Sequence, residues 1–209
     1  MSKLEIIMED GSVGELEIDL KGKVPASVEV TAEDGVVYFA KMAVKPKRKK
    51  FTIEMEDGGV MTGVLYPDIA PITCENFEKL ANSGFYDNLI FHRVIPNFMI
   101  QGGDPTGSGM GGSDKKIKGE FARNGVENPI QHKRGVISMA RSMQYNSASS
   151  QFFICVADCE DSLDGEYAAF GEVLEGMEVA DAIVSVERNR ADRPVKDIHM
   201  KTIKAEELD

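Results

Sequence analysis

Apolar runs of four to eight residues, rich in Val, Ile and Phe and parted by glycine-bearing turns, recur along the chain and limit what it can fold into. They lie at residues 4–8, 13–20, 27–31 and 36–42, and again at 51–56, 60–66, 91–94, 98–101, 136–140, 151–156, 168–174 and 198–203. Runs of that length with β-branched and aromatic enrichment predict strands. Helical spacing is confined to two segments. The first opens at Pro71 and Thr73, ends at Gly84 and carries Cys74, Phe77, Leu80 and Ala81 on one face; the second spans residues 176–184. Many short strands with few helices predict a mainly β protein, a closed antiparallel barrel or a sandwich, and two helices suffice to plug the ends of a barrel.

The clearest boundary is Lys45-Pro46-Lys47-Arg48-Lys49-Lys50, five positive charges and a proline through which neither hydrophobic period continues. It is read as a linker, residues 45–50, between a β-rich extension at 1–44 and a main domain at 51–209. A chain of 209 residues fits one domain plus an extension, at about 150 residues per domain. Asp10-Gly11 and Asp34-Gly35 favour hairpin turns, so the extension reads as a small β meander. So short a segment buries too little surface to stand comfortably alone and is expected to pack on the main domain or on a second copy. Residues 3–13 and 50–60 also share 7 of 11 positions without gaps, including Met-Glu-Asp-Gly at 8–11 and 55–58. Both copies read as strand, turn, strand, either by convergence on hairpin chemistry or by partial duplication.

Charge and cysteine usage narrow the partners. Residues 1–44 carry 4 basic and 9 acidic groups (−5), residues 45–50 carry +5, and residues 51–209 carry 15 basic and 26 acidic (−11), for a net −11. Such a surface repels phosphate, so nucleic acid is not an expected partner. No stretch approaches the ~20 apolar residues of a membrane helix, and the start lacks a basic region followed by an apolar run, so neither membrane insertion nor export is expected. Cys74, Cys155 and Cys159 form no even framework, which fits a reduced cytoplasm.

Among groups that carry chemistry, His92, His132 and His199 are scattered without ligand spacing, so each is read as structural and no metal is expected. No GxSxG elbow is present. Gly107, Gly109 and Gly112 match GxGxxG, but no apolar strand precedes them and no amphipathic helix follows. They read as a flexible glycine loop rather than a phosphate cradle, and no cofactor is expected. What remains is Phe91-His92-Arg93-Val94-Ile95-Pro96-Asn97-Phe98-Met99-Ile100-Gln101-Gly102-Gly103-Asp104. On strand alternation Phe91, Arg93 and Ile95 share one face, with Met99 and Gln101 together beyond a proline-marked bend. Arg93 and Gln101 thus sit among large apolar groups, where an arginine serves either a structural ion pair or a ligand.

On this stretch, and on Ile137-Ser138-Met139-Ala140-Arg141, Ser150-Gln151-Phe152-Phe153-Ile154, Leu163-Asp164-Gly165 and Phe170-Gly171 after it, the chain resembles the cyclophilin peptidyl-prolyl isomerases. The resemblance runs from about residue 51 to about residue 203. It implies an eight-stranded antiparallel closed β-barrel capped by two α-helices, with the N-terminal β appendage left over. It also implies rotation about X-Pro bonds in peptides and unfolded proteins, without a cofactor.

That rotation faces a barrier of about 18–20 kcal/mol because twisting costs the amide its resonance, and a catalyst need only prefer the twisted state, whose prolyl nitrogen carries a localised lone pair. The resemblance assigns Arg93 to that lone pair, its guanidinium held in an apolar site of low dielectric, and Gln101 to orienting Arg93 and bonding substrate carbonyls. It assigns Phe98, Met99, Phe153 and Leu163 to an apolar pocket for the proline ring, Ala140 and Arg141 to backbone contacts, and Gln151 to a further side-chain contact. Ser162 stands where many members, chiefly eukaryotic, have tryptophan, and Tyr167 where they have histidine. Bacterial-type members often vary at both positions, and Arg141 also resembles them; Tyr167 still offers a ring and a hydroxyl, and the missing indole implies weak cyclosporin binding. Two other readings are a module that binds proline segments or unfolded chains with incidental catalysis, and an interaction protein that dimerises through its extension. Arg93 and Gln101 together favour the enzyme, and the sequence leaves the oligomeric state open.

Overall fold

The computed structural model describes residues 46–208 and, before them, the backbone of four strands; the chain divides into two compact units, 1–45 and 46–209. In the first unit β1 (Ser2–Ile7) pairs antiparallel with β2 (Val13–Ile18), and β3 (Ser27–Thr31) with β4 (Val37–Lys41). These are two separate two-stranded sheets rather than one meander. The turns expected at Asp10-Gly11 and Asp34-Gly35 lie outside the described residues.

The second unit opens with β5 (Lys49–Met55) and β6 (Val60–Leu65), an antiparallel hairpin. Its register repeats that of β1 and β2: Glu54 faces Val60 as Ile7 faces Val13, and Phe51 faces Gly63 as Leu4 faces Leu16. The sequence echo is therefore also an echo of pairing. β5 begins inside the basic run, so Lys49 and Lys50 belong to a strand and not to a linker. They face Glu207 and Glu206 of β12 (Met200–Glu207), and Lys49 Nζ reaches both carboxylate oxygens of Glu78 at 2.5 and 2.6 Å. Opposed acids, invisible to local charge counting, let these lysines join the sheet.

The remaining strands are β7 (Phe91–Ile95), β8 (Met99–Gly102), β9 (Val136–Met139), β10 (Phe152–Cys155) and β11 (Ala169–Glu175). They join β5, β6 and β12 in one curled antiparallel sheet of eight strands, in the order β12-β5-β6-β11-β9-β10-β8-β7. Its edges approach each other: Ile90 bridges to His199, Phe91 N–H donates to the Ile198 carbonyl at 3.0 Å and Met200 N–H to that of Leu89 at 2.8 Å.

Helix α1 (Pro71–Asn82) lays Cys74, Phe77 and Ala81 into the core, with Leu80 partly buried. Thr73 marks its start differently from an N-cap. The N-cap residue is Ala70, and the free N–H groups of Ile72 and Thr73 donate instead to the buried Glu120 carboxylate at 3.1 and 2.8 Å, the Thr73 hydroxyl adding a bond of 2.6 Å. A carboxylate there also complements the positive end of the helix dipole. Helix α3 (Met177–Val184) follows Gly176, whose φ of 87° makes it the N-cap and not the first helical residue. A four-residue α2 (Glu160–Leu163) and a 3-10 turn at Ala122–Asn124 add to the two helices expected, being too short to show a period.

Phe77 is the centre of the core. Its ring lies 5.1 Å from Phe170, 5.4 Å from Tyr86, 5.6 Å from Phe152 and 6.2 Å from Phe51, centroid to centroid. Gly63 makes room for Phe51, since a Cβ there would stand 2.4 Å from the Phe51 ring and 2.1 Å from the Glu172 carbonyl oxygen. Phe77→Ala is expected to destabilise the domain by about 3–5 kcal/mol, read as a lower urea midpoint at unchanged m-value.

Candidate active site

The β7–β8 hairpin turns through Pro96 and Asn97, with Asn97 at φ 59°, a conformation asparagine tolerates, and Phe98 N–H donating to the Ile95 carbonyl at 3.1 Å. Phe98 is thereby set at the tip and Met99 on the outer face of the sheet. Strand alternation fails at one point in β7. Phe91 pairs with Gly102 and Arg93 with Gln101, so His92 is an extra residue, a β-bulge. Phe91 consequently points into the main core while Arg93 and Ile95 point out, which corrects the expectation that all three share a face.

From the bulge outward the register builds a row. Arg93 faces Gln101 on β8, Gln101 faces Phe153 on β10, and Phe153 faces Ser138 on β9. Ile95, Met99 and Cys155 form the next row. Arg93 Nη1 donates to Gln101 Oε1 at 3.4 Å, Gln101 Nε2 to Gln151 Oε1 at 2.8 Å, and Gln151 Nε2 to the carbonyls of Gly109 and Gly111 at 3.1 and 2.7 Å. Arg93 itself is exposed, so the low-dielectric surroundings expected for it are absent from the protein alone.

The glycine loop at the end of this relay is not loose. The buried Asp104 carboxylate accepts from the N–H groups of Thr106, Gly109 and Gly111 at 2.7, 2.6 and 3.1 Å and from the Thr106 hydroxyl at 2.8 Å. Burial acts to raise its pKa, but these donors outweigh it and the net shift is downward. Donors that a phosphate cradle needs are thus spent on an internal carboxylate.

Arg93, Phe98, Met99, Gln101, Ala140, Arg141, Phe153, Leu163 and Tyr167 line one depression of about 170 Å³. Gln151 lies in a second, about 420 Å³, that shares Gln101, Ala140 and Arg141 with the first and is walled by Gly109–Gly112 and Lys116. Behind the first depression Met99, Phe153 and Leu163 pack with Cys155 and Cys159 in a small core of their own, and burial pushes both thiols up, away from the thiolate form.

Sequence reasoning missed the support of Phe153. His132 stacks on its ring at 6.1 Å and 18°, while its Nδ1 lies 2.8 Å from Asp164 Oδ1 and its Nε2 3.0 Å from the Ser138 hydroxyl. Only the Leu-Asp-Gly motif hinted at Asp164. Ser138 is fully buried, so this chain of bonds holds a ring in place and does not present a nucleophile. Burial lowers the pKa of His132, and of His92, whose buried ring nitrogens have no partner among the described residues.

Comparison with known proteins accords with this architecture. Residues 50–205 match the family described as cyclophilin type peptidyl-prolyl cis-trans isomerase/CLD. A peptidyl-prolyl cis-trans isomerase-like 1 of Aspergillus fumigatus is 47% identical over 141 residues, 67% of this chain and 85% of that protein. An isomerase of Arabidopsis thaliana is 38% identical over 159 residues, 75% of this chain and 94% of its own. A Cryptosporidium parvum cyclophilin type isomerase, solved in the presence of the dipeptide Ala-Pro, superposes with a TM-score of 0.69 at 32% identity, covering 76% of this chain and 99% of that one. The eight-stranded curled antiparallel sheet with its few helices is the cyclophilin fold, and the chain belongs to the cyclophilin-type peptidyl-prolyl cis-trans isomerases. Its reaction is rotation about X-Pro peptide bonds.

The histidines give the domain a pH dependence. The unfolded chain protonates His92 and His132 near the ordinary 6.5, whereas the folded domain does so only at lower pH. The unfolded state therefore binds more protons below about pH 6.5, and stability falls as the pH drops. The urea midpoint is expected to decrease between about pH 7.5 and about pH 5.5, and His132→Gln to show a shallower decrease.

Proposed function

We propose that isomerisation takes place with the proline ring in the 170 Å³ depression and Arg93 at the prolyl nitrogen. The observation that carries this reading is the Arg93 guanidinium tied to Gln101 on the rim of a depression walled by Phe98, Met99, Phe153 and Leu163. The apolar walls hold the ring while the preceding carbonyl swings, and the guanidinium favours the state in which the nitrogen lone pair is localised. Because Arg93 is exposed, the substrate itself supplies the low dielectric by covering it. Gln101 has its carbonyl on Arg93 and its amide on Gln151, so it aims the arginine; Gln151 braces Gln101 and the glycine loop.

The chain preceding the proline runs past Ala140 into the 420 Å³ cavity. Ala140 N–H already donates to the Gln151 carbonyl at 2.9 Å, so contact with the peptide falls to the Ala140 carbonyl. The Ala-Pro dipeptide present with the C. parvum relative supports prolyl peptides as ligands here, and extended, unfolded chains fit the open, contiguous depressions. We also read the sheet as a closed barrel, supported by the Ile90–His199 bridge and the hydrogen bonds flanking it.

Arg93→Ala is expected to lower kcat/KM for a prolyl peptide a hundredfold or more, about 2.7 kcal/mol of transition-state stabilisation, with an unchanged circular dichroism spectrum. Near-normal turnover by the folded variant would overturn the mechanism. Ser162 is exposed on α2 beside Leu163, its hydroxyl donating to the Cys159 carbonyl at 3.1 Å, and offers no ring to a bound macrocycle. Cyclosporin is expected to inhibit weakly, and Ser162→Trp to strengthen inhibition by about 1–3 kcal/mol, measured in the same assay. Nanomolar inhibition of the unmodified protein would refute this.

A further inference from the structure

The Arg141 side chain is invested in the protein to an unusual degree. It is 10% exposed. Its Nε donates to the Glu166 carbonyl at 3.0 Å, Nη1 to the Ser142 carbonyl at 3.0 Å and Nη2 to Glu166 Oε2 at 3.3 Å. Its guanidinium carbon also stands 4.7 Å from the ring centroid of Tyr167, 5.1 Å from Phe121 and 5.2 Å from Tyr145. A planar cation with in-plane donors suits such a cage, since the donors reach the oxygens while the flat face meets the rings. One caged ring, Tyr167, is a wall of the proline depression and meets Phe153 edge to face at 5.7 Å.

We propose that Arg141 is a positioning residue of the isomerase, its guanidinium locking Tyr167 against Phe153 and so fixing the width of the proline pocket. This rests on the pocket reading above. The proline ring is gripped alike in the planar and twisted states, so a wall that only grips it contributes uniform binding. Loosening that wall raises KM and spares kcat, whereas loss of a group acting on the prolyl nitrogen lowers kcat.

The test is NMR line-shape analysis of an Ala-Pro peptide with the full chain, giving kcat and KM separately. Arg141→Ala leaves the backbone contact in place and is expected to raise KM about tenfold with kcat within about twofold. Tyr167→Ala is expected to do the same, and the double variant to be no worse than Tyr167→Ala alone, because Arg141 acts through that ring. Arg141→Lys keeps the cation over the rings without the fork to Glu166, so an intermediate KM is expected, and it carries the test if Arg141→Ala does not fold. An unchanged KM in the folded variant, a fall confined to kcat, or additive effects in the double variant would each overturn the proposal. A fully active Arg93→Ala would instead remove the pocket reading, whatever Arg141 does.

Discussion

β7 holds one residue more than its pairing with β8 can use, and the placement of the site depends on that surplus. In a regular strand Phe91 and Arg93 face the same way. Phe91 then either leaves the core, where its ring sits 6.2 Å from Phe152, or drags Arg93 in after it. An unpaired guanidinium among Phe77, Phe152 and Ile154 would be prohibitively desolvated. By absorbing His92, the bulge lets the same strand supply a core phenylalanine and an outward arginine. The cost is visible in His92, whose buried ring nitrogens have no hydrogen-bond partner among the described residues.

The outward face works because the strands beneath it are covered on both sides. β9 and β10 are buried at every position. Phe152 and Ile154 face the main core around Phe77, while Phe153 and Cys155 face the smaller cluster with Met99, Cys159 and Leu163. The depression proposed for the proline ring thus opens beside a second, packed core. His132 behind Phe153 and Tyr167 at its edge hold the central ring from two directions. The grip proposed for this pocket on a small, rigid proline ring benefits from walls that do not yield.

Strand positions in the main domain and the face of α1 were legible because each is a local pattern with its own period, from Phe51, Ile53 and Met55 to Cys74, Phe77 and Ala81. The residues around the 170 Å³ depression were legible through a resemblance, since nothing local in Phe153 or Leu163 says that they meet. What escaped was long-range or non-periodic. A bulge leaves no mark on hydrophobic alternation, Glu120 caps a helix 47 residues away, and the Arg141 cage gathers Phe121, Tyr145 and Tyr167 from three separate segments. The glycine loop misled for a related reason: composition registers conformational freedom, but not the single carboxylate of Asp104 that removes it.

The partner chosen for Arg93 follows from what the proposed mechanism asks of it. The domain is rich in acids, and Arg123, Arg134, Arg188 and Arg193 all hold carboxylates. Arg93 holds an amide, and among the described residues it forms no ion pair. A carboxylate would fix the guanidinium more firmly but would also cancel much of its field a few ångströms away, where the prolyl lone pair develops. Gln101 fixes the direction of the charge without neutralising it, and is itself fixed by Gln151, whose amide is anchored on the glycine loop. The loop in turn is held by Asp104, whose charge is absorbed by three N–H groups and a hydroxyl. The negative group needed to order the structure is kept at the far end of a neutral relay, leaving the positive one undiminished where the proposed mechanism sets the prolyl nitrogen.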